Sequence, residues 1–102
     1  MATYTGARTI DGIAVLADGA PLDPRTDLKR FTDRGFEWTY EGDEPAQLAL
    51  ALLAHHFNDD VKALSLCDVF MRRVVANLDN DWELNGTQID SAVAELDGGS
   101  NP

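Results

Sequence analysis

The apolar positions of this chain keep one rhythm up to about residue 40 and another after it. The N-terminal third consists of short strand-like runs, "YTGARTI" and "IAVLA", separated by Asp11-Gly12, a pair that favours a two-residue hairpin turn. Asp18-Gly19 repeats the signal and leads into "APLD", where Pro21 restricts the third segment to a short or edge strand. In "DPRTDLKRF", Asp23 is placed as an N-cap and Pro24 as a first helical residue, which predicts a single helical turn. "FEWTY", residues 36–40, alternates again, with Phe36, Trp38 and Tyr40 on one face, and predicts a strand whose aromatic side is core.

From Pro45 the period becomes helical. A helix is predicted over about 45–57, with acidic Glu41, Asp43 and Glu44 at its positive end. Leu48, Leu50, Leu52, Leu53 and Phe57 sweep most of its circumference, which makes it either central in the fold or covered by a partner. "NDD" ends it and starts a second helix over about 60–78. The core stripe predicted there is Leu64, Cys67, Met71, Val74, Val75 and Leu78, with an Asp68–Arg72 pair at i,i+4. "DNDWEL" forms a turn with room for a short strand. Thr87 and Asp90 are spaced as a capping box for a last helix that buries Ile89, Val93 and Leu96.

The elements add up to one α+β domain over residues 1–96. A small, mainly antiparallel sheet, the N-terminal meander plus strand 36–40, is packed by two long helices and a shorter C-terminal one. Residues 97–102 are expected to be a flexible tail. No run is long and apolar enough to span a bilayer, and "MATYTGARTI" lacks a secretory core, so a cytoplasmic protein is expected.

Charge changes the picture more than composition does. Eighteen acidic residues face eight basic ones, for a net charge of −10. Thirteen of the acids are Asp, and only two of the bases are Lys. The acids are spread along the chain without a long block. That profile fits a surface solvated for a salt-rich, haloarchaeal-type cytoplasm better than an interaction tail. A competing reading is that the acids imitate nucleic-acid phosphate and occupy a protein that binds it.

The run "GFEWTYEGDEPAQLALALLAHH" is flanked by "TIDG" and "DGAPLDPR" upstream and by "FMRRVVANL" and "WELNGTQID" downstream. Together these resemble a family of small uncharacterised domains encoded by bacteria, archaea, phages and plasmids. The likeness extends over roughly Tyr4 to Leu96. It implies a compact intracellular domain with an association to mobile elements. The family has no established activity, so the resemblance transfers no catalytic residues.

Candidate chemistry is sparse. His55 and His56 are adjacent on a helix and diverge by about 100°, so they do not form a chelating pair, and no HExxH is present. A partly buried, hydrogen-bonded His56 is expected at the helix C-terminus. Cys67 lies on a core stripe, as an inert thiol does. No nucleophile elbow, P-loop or dinucleotide fingerprint occurs. The expectation is therefore a non-enzyme with no cofactor and no metal. The feature left over is a mixed stripe on the second helix, Lys62, Leu66, Val69 and Arg73, with Arg72 beside it. Bases next to aliphatics are typical of interfaces. Self-association or a protein partner is expected there if the last helix leaves the stripe open, with no direct nucleic-acid contact and no membrane. The resulting functional expectation is a small accessory or interaction protein linked to mobile elements. A nucleic-acid-mimicking decoy comes second, and a small metal-dependent or hydrolytic enzyme third.

Overall fold

The computed structural model describes residues 2–98. Three antiparallel segments open the chain: β1 (Thr3–Thr9), β2 (Gly12–Ala17) and β3 (Ala20–Pro21). The β2–β3 turn takes the expected form. Asp18 and Gly19 both have positive φ, 51° and 84°, as a two-residue type I′ link requires. The first turn sits one residue earlier than expected. Thr9 pairs with Gly12, so Ile10 and Asp11 form the link, and Gly12 takes the positive φ at its end. β3 is the short edge strand that Pro21 calls for.

The fourth strand is not residues 36–40. That segment is irregular, and β4 is Trp82–Asn85, antiparallel to β1 in the order β3-β2-β1-β4. Thr39 at φ 80° breaks strand geometry, and its N–H goes to Val75 O (3.2 Å), at a helix end instead of a sheet edge. Its alternation reflects one deeply buried ring. Trp38 is 0 % exposed, Phe36 is half-buried and Tyr40 lies 44 % exposed with its hydroxyl on Glu44 (3.2 Å). Arg8 of β1 fastens this segment to the sheet. Its guanidinium lies 4.8 Å over the Trp38 ring, donates to Trp38 O (3.2 Å) and pairs with Glu37 (2.7 Å). Trp38 Nε1 donates to Asn80 O (3.1 Å), and the Trp82 ring meets Trp38 at 87° and 5.7 Å. Trp82 in turn lies flat over Gly6, where a Cβ would come within 2.3 Å of the indole, so only glycine fits.

α1 (Asp43–Phe57) and α2 (Asp60–Arg73) form an antiparallel hairpin. Asn58 closes α1 in the left-handed conformation at φ 52°, and the Asp59 side chain caps α2 through Lys62 N (3.0 Å). Residues 45–54 of α1 are all buried. The sheet, α2 and the loop 24–32 each cover a side of it. The loop is held by Gln47, which is 1 % exposed. Its Oε1 accepts from Phe31 N (2.8 Å) and Thr32 N (3.4 Å), and its Nε2 donates to Pro24 O (2.7 Å) and Lys29 O (3.1 Å). That loop contains a turn over 26–28 in place of the expected helical turn, because Arg25 adopts φ 55°.

α2 is shorter than expected and rotated. It stops at Arg73, and Val75–Asn77 tighten into one 3₁₀ turn. Its buried face is Ala63, Cys67, Phe70 and Met71. Phe70 had not been assigned to the core, whereas Leu64, assigned to it, is 38 % exposed. Cys67, Met71 and Val75 are buried as expected and Val74 and Leu78 half-buried, so the face is turned by the exchange of Leu64 for Ala63 and Phe70 on the opposite flank. α3 (Gly86–Gly98) starts on a reciprocal pair two residues before the expected capping box. Asn85 Oδ1 accepts from Gln88 N (2.8 Å) and Gln88 Oε1 from Asn85 N (2.9 Å). Ile89 and Val93 are buried as expected, and Leu96 half-buried. Of the expected tail, 97–102, residues 97 and 98 continue α3, and 99–102 lie outside the described residues.

Candidate functional site

Both histidines are committed to neighbouring elements. His55 Nδ1 lies 2.7 Å from the hydroxyl of fully buried Tyr4, linking the end of α1 to β1. His56 Nε2 reaches Asp90 Oδ1 at 2.7 Å and ties α1 to α3. The two partners stand on different elements, and among the described residues no group of three or more His, Cys, Asp or Glu could hold a metal ion. Cys67 is buried, and burial pushes its thiol above the usual range, away from the reactive thiolate. Burial also pushes the Tyr4 hydroxyl up to about 12, with the nearby Asp18 charge adding to it.

The Tyr4 shift gives a pH prediction. Below pH 10 folded and unfolded chains both keep this proton. Between pH 10 and 12 the unfolded chain releases it and the native chain does not, so stability falls over that window by about 2–3 kcal/mol. Chemical denaturation across this range should show the decline, and Tyr4→Phe should flatten most of it. An unchanged slope in the variant would place the alkaline transition elsewhere.

On α2 the stripe singled out from sequence is partly covered. Leu66 is half-buried against the core, Val69 is half-buried, and the Lys62 ammonium sits 4.1 Å over the Phe57 ring. Arg72 pairs with Asp68 (3.2 Å) and lies 3.8 Å from Glu41. Arg73 and Val74 face Ala92, Glu95 and Leu96 across a cavity of about 330 Å³, so α3 borders this side of the helix. The strongly exposed aliphatic on α2 is Val61 at 78 %, away from that stripe.

The larger concavity lies elsewhere, and the sequence reading passed over it. A groove of about 620 Å³ runs along β2 from Gly12 to Leu16, bounded by Pro21 on one side and by Arg34, Gly35 and Phe36 on the other. It exists because β3 pairs only with Leu16 and Ala17, leaving the rest of this β2 edge without a strand. Ile13, 39 % exposed, and half-buried Phe36 give it an apolar lining. Arg34 brings a cation whose guanidinium forms no ion pair within 4 Å among the described residues. Its longer-range field does help to lower the Glu44 carboxyl, behind the larger effect of the Thr32 hydroxyl 2.7 Å away. One signal for the groove stood in the sequence: Pro21 so soon after a turn announces a truncated strand and an open edge.

These features define a small α+β domain with an apolar groove beside an incomplete sheet edge. The chain belongs to DUF6166, a family of unknown function, whose profile matches residues 4–95. No curated protein and no solved structure matches it. No helix among the described residues is long and apolar enough to cross a membrane.

Proposed function

We propose that this chain is a small non-enzymatic binding module, an accessory protein of a mobile element or its host that works in a salt-rich cytoplasm. The observation that carries the reading is the groove on β2, an apolar concavity with a cation at its rim on an otherwise strongly acidic protein. The anchoring of His55 and His56 to Tyr4 and Asp90 supports it, since both rings serve as joints between elements.

The test is a photo-crosslinking amino acid placed at Ile13 and, separately, at Val69, in cells that express the chain. A discrete protein adduct at either position supports a binding module and says which surface is used. No adduct at either position removes the reading. A partner released by duplex DNA would assign the acidic surface to nucleic-acid mimicry instead.

Salt adaptation has its own test. At low ionic strength a net charge of −10 repels itself and weakens the compact state. The melting temperature should rise markedly from tens of millimolar to molar KCl. A flat profile would end the salt-adapted reading.

A further inference from the structure

The hydrogen-bond parity of β2 specifies what fits the groove. Asp18 N donates to Thr3 O (2.8 Å), which fixes the alternation of the β1–β2 ladder. The pairs Thr5–Leu16, Ala7–Ala14 and Thr9–Gly12 therefore exchange the ladder bonds, and Ile13, Val15 and Ala17 turn their N–H and C=O groups the other way. That direction is confirmed by Val15, whose C=O accepts from Leu22 N at 3.1 Å beyond the end of β3. The Ile13 N–H and C=O and the Val15 N–H then face the groove without a strand partner among the described residues. A flat row of donors and acceptors with an apolar wall is a template for one more strand.

We propose that the groove binds an extended segment of a partner protein by strand addition to the Ile13–Val15 edge, with an apolar side chain of that segment against Phe36 and a carboxylate on Arg34. This rests on the reading of the chain as a binding module. The edge alone would accept any strand, and charge selects among them. Pairing with a second copy would bring together two chains of −10. A carboxylate-bearing peptide instead supplies the charge that Arg34 lacks. The carbonyl taken by Leu22 also makes the added strand short, since it must end there.

The experiment is a peptide-display selection against the intact chain, followed by fluorescence anisotropy with the selected peptides. Sequences enriched in an apolar residue and an Asp or Glu are expected. Ile13→Pro removes the outward N–H on an edge where proline is tolerated and should weaken binding roughly tenfold. Because that variant could also lose stability, the same question is asked of the peptide. N-methylation at alternate peptide positions should abolish binding in one phase and spare it in the other. Arg34→Glu should weaken the acidic peptide more than its amide analogue. The proposal is overturned if no peptide is selected or if both methylation phases bind alike. It is also overturned if Arg34→Glu affects acid and amide equally, or if light scattering shows a dimer that Ile13→Pro dissolves. A protein partner crosslinked at Val69 and not displaced by these peptides would overturn strand addition and leave the binding module standing.

Discussion

Trp38→Ala is expected to cost about 3–5 kcal/mol, enough to leave most of the chain unfolded in a domain whose total stability is on the order of 5–15 kcal/mol. The indole is fully buried and sits where three parts of the molecule meet. Its loss opens a cavity, removes the edge-to-face partner of Trp82 and takes the donor from Asn80 O. It also uncovers the Arg8 guanidinium that lies across the ring. Urea denaturation in molar KCl, with the salt held constant, measures the effect. Trp38→Phe should fall between variant and wild type, since it keeps a ring and loses the N–H. A Trp38→Ala chain that melts like wild type and loses only a ligand would move this residue from the core to a binding site.

Gln47→Glu should cost a similar amount, about 3–5 kcal/mol at neutral pH, although the two side chains are nearly the same shape. The Gln47 amide nitrogen donates to the carbonyls of Pro24 and Lys29, and a carboxylate would set a second oxygen against both. The oxygen on the other side would still accept from Phe31 and Thr32. The penalty is thus an unpaired buried charge facing two lone pairs, and its sign with pH follows. Burial and the carbonyls raise the native pKa of this Glu above its unfolded value near 4.3, so protonation favours the native state. The gap in stability to wild type should narrow as pH falls from the raised native value towards about 4.3. A gap that does not change with pH would mean that Gln47 acts by packing alone.

These two residues show what could be read in advance. Trp38 was placed in the core from its alternation with Phe36 and Tyr40, and it is there, but the strand inferred with it is absent. Of the three alternating rings only Trp38 is fully buried, with Phe36 half-buried and Tyr40 exposed. A strand also needs a neighbour with free hydrogen-bonding groups, and that is a property of other segments. β1 offered its edge to Trp82–Asn85 instead. Gln47 carries no comparable signal, being one polar residue among the leucines of α1. Nothing local to α1 says that a loop 15 or more residues earlier brings backbone groups to satisfy it.

The sequence by itself determined the α+β class, the Asp18-Gly19 hairpin, the edge status imposed by Pro21, the all-round burial of α1 and the turn at Asn58-Asp59. Each depends on φ preference, capping or periodicity, which act within a few residues. The tertiary structure alone decided the rotation of α2, the Asn85–Gln88 cap in place of Thr87–Asp90, the partners of His55 and His56, and the groove beside Ile13. Those outcomes depend on which surfaces are left uncovered once every element has packed, and burial and hydrogen-bond satisfaction are settled only by the whole set of neighbours.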